Sequence, residues 1–324
     1  MKRINLALQG GGAHGAFAWG VLDRIAEDPR LEIEGICGTS AGAMNAAIAA
    51  HGLATGGPAG MKAALAAFWG RVAEIGAFSP LRGAADWSPL WLWLDGCTRV
   101  LSPYQFNPLN YNPLRAILDE QLDCGDLRQA PVKLFVCASN VLTGKIKVFS
   151  NEDVSIDAVL ASACLPHLFQ AVEIDGEHYW DGGFMGNPPI YPLIYHCQSR
   201  DVVIVTLNPM AIPEVPTTAQ AIADRVNTLS FNSSLMREMR AIHFVTRLID
   251  GGYDDGGRLK RMLIHMVEDE ALFQGLGVAS KFDAAGPFLA HLRRRGWLAC
   301  DGFLAANYER LGNSSSVDLA GRFL

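Results

Sequence analysis

Apolar positions in this chain fall into short, nearly continuous runs separated by glycine-bearing turns and by stretches with helical spacing. Ile4–Leu8, Ile33–Cys37, Val132–Ala138, Val202–Leu207 and Met262–Val267 have the length and composition of buried strands. The first run leads through Gln9, three glycines and a helix-like stretch to Ile25, and the second leads through Gly38-Thr39-Ser40-Ala41-Gly42 into an alanine-rich helix, Ala43–Ala50. Two successive strand-turn-helix units predict a parallel sheet with right-handed crossovers, and so an α/β fold. Lys145–Phe149 reads as a further strand, joined to Val132–Ala138 by a turn at Thr143-Gly144. Glu173–Trp180 reads as a hairpin about Asp175-Gly176.

Between about residues 52 and 126 the pattern loosens into Gly-Ala-Pro-rich sequence, a tryptophan-rich segment and a helix near Leu114–Leu122, which reads as a lid-like insertion over the sheet. After Pro216 mixed helical spacing dominates to residue 324. No internal repeat, low-complexity tract or linker divides the chain, so the expectation is one domain, 1–324, with a mainly helical C-terminal extension over 216–324.

Composition narrows the function classes. Half of the 324 residues are hydrophobic and 19% are charged, as in a globular enzyme. The net charge of −6 provides no positive field for nucleic acid, so no nucleic-acid partner is expected. Seven cysteines, scattered and never in C-x-x-C spacing, argue against a disulfide framework and a structural zinc site, and point to a reducing cytoplasm. No metal or organic cofactor is expected. Met1-Lys2-Arg3 and the following apolar run imitate the start of a signal peptide, but Gln9 and the glycines interrupt it after five residues, short of a secretory core of about 7–15. Gly35–Met61 lacks formal charge yet is rich in small residues, the weaker pattern for a membrane helix.

Candidate chemistry begins at Gly38-x-Ser40-x-Gly42. A serine between strand and helix, flanked by glycines, is the pattern of a nucleophile elbow, with the hydroxyl held at a helix N-terminus where negative charge is favoured. The earlier loop, Gly10 to Gly15, satisfies G-x-G-x-x-G and admits two readings. Its N–H groups could hold a dinucleotide pyrophosphate, with Glu32 or Glu34 for the ribose, or they could form an oxyanion hole. The serine elbow on the next strand favours the oxyanion hole. For a base, Asp181-Gly182-Gly183 stands out, since two glycines permit a tight turn and close approach of another backbone. His196, His243, His265 and His291 are the histidines that could complete a Ser–Asp–His triad instead.

The set G-G-G-A-H-G, G-T-S-A-G, A-S-A-C-L-P (Ala161 to Pro166) and D-G-G followed by N-P-P (Asn187 to Pro189) resembles the patatin-like phospholipase family over roughly residues 4–210. The resemblance implies a three-layer α/β/α sandwich with a mostly parallel sheet. It also implies hydrolysis of acyl esters of phospholipids or related lipids through a Ser–Asp dyad. Carried over by position, Ser40 is the nucleophile, Asp181 the general base, and Gly10, Gly11 and Gly12 the oxyanion hole, with Gly15, Gly38, Gly42, Gly182 and Gly183 as motif support. One departure stands out. His14 occupies the place where the family usually has Arg or Lys, exchanging a fixed cation for a titratable ring. The implied partner is a lipid substrate at a membrane surface, with the protein cytoplasmic or peripheral; the motifs carry no signal for oligomeric state.

Trp87, Leu90, Trp91 and Leu94 share one face if helical, which suits either a lid that meets lipid or packing beneath one. Arg293-Arg294-Arg295 before Gly296 reads as a basic helix C-terminus. The competing functions are an α/β-hydrolase-type esterase with a histidine, a dinucleotide-binding oxidoreductase, and a lipid-binding protein with an inactive dyad.

Overall fold

The computed structural model describes residues 1–77, 93, 96–97, 100–253 and 256–324. Its strands are β1 (Lys2–Leu8), β2 (Leu31–Thr39), β3 (Lys133–Asn140), β4 (Ile146–Ser150), β5 (Val172–Ile174), β6 (Glu177–Asp181), β7 (Asp201–Val205) and β8 (Leu263–Val267). They form one eight-stranded sheet in the order β5-β6-β3-β2-β1-β7-β8, with β4 paired to β3 off this path. β1, β2, β3, β7 and β8 are parallel, whereas β4, β5 and β6 pair antiparallel. Leu8 lies opposite Gly38. The turns after β1 and β2 therefore leave the sheet side by side, as two successive strand-turn-helix units require. The β5–β6 turn is a tight hairpin in which Asp175 and Gly176 both take positive φ, 54° and 78°.

The helices of seven residues or more are α1 (Gly15–Ala26), α2 (Ala41–Ala77), α3 (Pro113–Gln121), α4 (Ile156–Ser162), α5 (Ala219–Asp250) and α6 (Gly286–Asn307). Alternation along the central strands divides them between two faces. Ile4, Leu6 and Leu8 of β1 enter a core shared with α1, α2, α4 and α6, while Ala7 enters a second core shared with Leu235, Met239 and Ile242 of α5. β7 divides in the same way, with Val203 and Val205 on one side and Val202 and Ile204 on the other. Strands buried on both faces explain why their sequences are almost continuously apolar. The architecture is a helix-sheet-helix sandwich.

Two expectations need correction. The alanine-rich helix does not end at Ala50. It runs from Ala41 to Ala77 and breaks only at Gly56 and Gly57, before Pro58. Alanine is the strongest helix former, and proline is well tolerated in a first turn, so sequence that reads as loop is two helices joined at a kink. Met61, Leu65 and Phe68 of the second piece are fully buried, and an insertion starting near residue 52 would cut through this element. The three arginines do not close a helix either. They lie inside α6, where Arg293 pairs with Asp23 and stands 4.2 Å over the Trp19 ring, and Arg295 pairs with Asp269. The stretch beyond Pro216 is mainly helical as expected, and its apolar run Met262–Val267 supplies β8, which returns to the sheet beside β7.

The amphipathic reading of Trp87, Leu90, Trp91 and Leu94 lies outside the described residues. Among those described, no helix is long and apolar enough to cross a membrane.

Candidate active site

Ser40 is the single residue between β2 and α2, and its φ of 56° is in the region that favours glycine. A non-glycine residue held there stores strain, and such strain collects at functional positions. Local sequence makes the turn possible. A Cβ on Gly38 would overlap the Gly42 carbonyl oxygen, and one on Gly42 would overlap that of Leu8, so neither tolerates a side chain. The Ser40 carbonyl accepts from the Met44 N–H at 3.1 Å, opening the helix, and the Ser40 N–H donates to Ser162 Oγ at 2.9 Å. The serine of A-S-A-C-L-P thus holds the elbow.

Asp181 ends β6 and is completely buried. Three hydrogen bonds anchor it. Its N–H donates to the Cys164 carbonyl at 2.8 Å and its carbonyl accepts from Ser139 Oγ at 2.8 Å. Oδ1 accepts from the Gly183 N–H at 2.7 Å, and Ala138 of β3 is its cross-strand neighbour. Gly182 and Gly183 are needed for close approach, since side chains there would overlap the Cys137 carbonyl and the Phe231 ring. Asp181 caps a 3-10 turn, Gly182–Phe184. Oδ2 is buried and hydrogen-bonds no described residue. Burial pushes the carboxyl pKa up to about 6, against the opposing pull of the Gly183 N–H, the nearby Ser40 hydroxyl and Lys281. The result is a desolvated carboxylate with one uncommitted oxygen beside a serine, which suits it to accept a proton.

The glycine loop follows β1, but its three N–H groups are not equivalent. Gly10 N–H donates to Asn187 Oδ1 at 2.7 Å, so in this geometry it is not an oxyanion donor. Gly10 serves by proximity: a Cβ there would stand 2.7 Å from that of Ser40. Gly11 and Gly12 N–H groups bond no described residue and line the same cavity as Ser40 and Asp181. Gly15 lets the start of α1 approach the start of α2, since a Cβ there would stand 2.8 Å from that of Ala41.

Beneath the loop lies a buried amide network. Gln9 Nε2 donates to the Asn187 carbonyl at 3.2 Å, and Gln9 Oε1 accepts from the N–H groups of Leu207 at 2.8 Å and Asn208 at 3.1 Å. Asn208 Nδ2 donates to the Gly10 carbonyl at 3.2 Å. Sequence reasoning gave no roles to Gln9, Ser162, Asn187 or Asn208. Ser162 and Asn187 sat within quoted motifs, while Asn208 carried no local signal at all.

His14 is buried, with Nε2 2.8 Å from Ser280 Oγ, and desolvation followed by the Lys281 charge lowers its pKa to about 3. The expectation that this ring makes the site titrate is thus corrected, because it is neutral across the ordinary pH range. None of the four later histidines lines the cavity. His265 is committed to Asp201 Oδ1 at 2.9 Å and Ser316 Oγ at 3.1 Å, and His196 and His291 are exposed. The dinucleotide reading loses its ribose partner as well. Glu34 accepts from the N–H groups of Gln198 and Ser199, and Glu32 pairs with Arg3, both near the start of β2 rather than the end that carries the glycine loop.

The cavity holding Ser40, Asp181 and the glycine loop measures about 360 Å³. Its remaining wall is largely apolar, supplied by Phe68, Trp69 and Val72 of α2, Leu114 and Ile117 of α3, and the Leu165–Phe169 turn. A serine and a carboxylate lining an apolar chamber suit action on an ester whose acyl part is hydrocarbon.

A sequence model of the patatin-like phospholipase family matches residues 6–194. No curated protein matches the chain significantly. Among solved structures, VipD from Legionella pneumophila is 16% identical with a TM-score of 0.47, the alignment covering 94% of this chain and 67% of that one. ExoU, in its heterodimeric complex with SpcU from the type III secretion system of Pseudomonas aeruginosa, is 19% identical with a TM-score of 0.39. That alignment covers 99% of this chain and 57% of the other. The assignment rests on the family model, which spans 189 of the 324 residues and both chemical motifs: the chain belongs to the patatin-like phospholipase family of ester-bond hydrolases.

Proposed function

We propose that the protein is a serine lipid acyl hydrolase that cleaves carboxylic esters of phospholipids or lysophospholipids through Ser40 and Asp181, by way of an acyl-enzyme. The observation that carries this reading is the meeting of a strained serine, a buried carboxylate with an uncommitted oxygen, and two unbonded glycine N–H groups in one apolar chamber. Ser40 Oγ attacks the ester carbonyl as its proton passes to Asp181, and the N–H groups of Gly11 and Gly12 receive the developing oxyanion. Collapse breaks the bond to the alcohol, which leaves with the proton from Asp181. Water then repeats the sequence on the acyl-Ser40 ester. The apolar wall receives the acyl chain.

Action at a lipid surface fits the stretch leading to α3, where Leu101, Tyr104, Leu109 and Tyr111 are exposed just before the cavity-lining Pro113 and Leu114. A fluorophosphonate probe tests the core of the proposal. The adduct is expected on Ser40 by mass spectrometry, and Ser40→Ala is expected to be silent both to the probe and in release of fatty acid from phospholipid vesicles. Labelling of another serine, or none on folded protein, would remove Ser40 as nucleophile.

A further inference from the structure

Among the described residues lining the cavity, only two side chains are ionisable: Asp181 and Lys281. Lys281 comes from the short 3-10 segment Val278–Phe282, far outside the residues that match the family. Two contacts place it on the glycine-loop side. Its Nζ donates to Asn208 Oδ1 at 2.9 Å, and the same amide donates from Nδ2 to the Gly10 carbonyl at 3.2 Å. Its main chain abuts Gly12 so closely that a Cβ there would overlap the Lys281 carbonyl oxygen and stand 3.3 Å from the Lys281 Cβ. The ammonium also lies 5.9 Å from the centre of the Phe231 ring.

The charged and titratable groups around it are few. Asp181 faces it from the end of β6 and Asp224 from α5, while His14, on the turn before α1, is neutral. Glu214 and Arg225 line a neighbouring chamber that Lys281 also borders. Desolvation lowers the Lys281 pKa to about 8, opposed by the two aspartates, so the side chain is mainly cationic at neutral pH.

We propose that Lys281 supplies the positive charge of the catalytic centre, standing on the oxyanion-loop side of Ser40 and Asp181 and stabilising the substrate carbonyl oxygen as it becomes negative. The proposal rests on the Ser40–Asp181 reading. In the first step Ser40 Oγ bonds to the carbonyl carbon, its proton moves to the Asp181 carboxylate, and the carbonyl π pair moves to oxygen. One unit of negative charge thus leaves Asp181 and appears on the substrate oxygen, towards the loop to which Lys281 is tied. A fixed cation there favours the transition state over the ground state, which raises turnover rather than binding. Lys281 keeps its proton throughout.

The test compares Lys281→Met and Lys281→Arg on a short soluble ester across pH, with fluorophosphonate labelling of the wild type alongside. Lys281→Met is expected to lower kcat by about 10–100-fold with KM nearly unchanged, and Lys281→Arg to retain most of the activity. The wild type should lose activity above about pH 8 as Lys281 deprotonates, and both variants should lack that alkaline fall. The acid limb should move to higher pH in Lys281→Met, because Lys281 holds the Asp181 pKa down. A Lys281→Met enzyme within twofold of wild type, or both variants equally impaired with the wild-type pH profile, overturns the proposal. If the variants do not fold, a wild-type rate that stays level through pH 9.5 overturns it. Labelled Ser40 with an indifferent Lys281 sinks this inference alone, whereas an unlabelled, folded wild type sinks the dyad with it.

Discussion

Asp181, the base of the proposed mechanism, is held where its charge is costly to the fold. Its carboxylate is raised to about 6 by burial, so the basic form dominates only above that pH, and ester hydrolysis should fall on an acid limb near 6. Asp181→Asn keeps the shape and removes the basic oxygen; turnover should drop on the order of 10³-fold or more. The same change should raise stability. A carboxyl whose folded pKa lies above its unfolded value binds protons more tightly when folded, so folding stability declines as pH rises through the window between about 4 and 6. At pH 7.5 the ionised, desolvated carboxylate bears the full cost. Asp181→Asn should therefore melt higher than the parent at pH 7.5, with the gap closing towards pH 4; a lower melting temperature at both values would contradict the burial argument. His14→Gln should leave the acid limb where it is, since His14 is neutral there, and a displaced limb would restore a titrating role to His14. The turn at Ser40 was legible in the sequence because it is local: glycines at fixed offsets state that no side chain fits, whereas Asp181-Gly182-Gly183 gained its proposed role only through the family resemblance. The supporting groups around them were not legible, because Asn187, Asn208 and Lys281 reach the loop from 177 or more residues away and no short-range pattern requires them.

At the scale of elements, strands were easier to read than helices for a physical reason. A strand buried on both faces must be apolar almost throughout, as Asp201–Val205 is after its first residue and Leu263–Val267 is apart from His265. Helix α2 was misread after Ala50 because glycine and proline signal a break without saying whether a helix resumes on the other side. Close helix packing carried even less signal. α1 and α6 cross at Gly20 and Gly296, where added Cβ atoms would overlap the carbonyl oxygens of Arg293 and Phe17. In sequence these are unremarkable glycines inside helical spacing, each reading as a weak point or a stop. Backbone against backbone cannot yield as a flexible side chain does, so substitution must separate the helices and open the core between them. Gly296→Val is expected to destabilise the protein by about 3 kcal/mol or more, at the upper end of overpacking costs. Leu298→Ala on the same helix, half-exposed, should change stability by a few tenths to about 1 kcal/mol at most. Urea unfolding of both measures the contrast, and equal midpoints would show that the crossing relaxes freely.

At the scale of the whole molecule, the matched region and the folding unit have different extents. The family model ends at residue 194, but the sheet does not: β7 and β8 follow it, and β8 covers the edge that β7 would otherwise expose. α5 reaches the catalytic loops from the opposite layer. Asn232 Oδ1 accepts from Gln9 Nε2 at 3.3 Å, Ser234 Oγ accepts from the Asn187 N–H at 3.0 Å, and Glu238 accepts from the N–H groups of Ile190 at 2.8 Å and Tyr191 at 2.9 Å. α6 covers α1, and Leu235, Met239 and Ile242 of α5 supply much of the second core. A chain ending at Pro216 would keep Ser40, Asp181 and all three glycines. It would also leave β7 as a bare apolar edge, strip α5 from one face of the sheet, and free the loop that holds Asn187 against Gly10. An uncovered hydrophobic edge strand pairs with other chains, so the fragment 1–216 is expected to aggregate and to show no cooperative melting and no Ser40 labelling. Circular dichroism melting together with fluorophosphonate labelling decides the matter: a fragment that melts cooperatively and is labelled at Ser40 would mean that the motif-bearing portion folds and assembles its site without the remaining 108 residues, and that the dependence drawn from the second core and the α5 contacts is wrong.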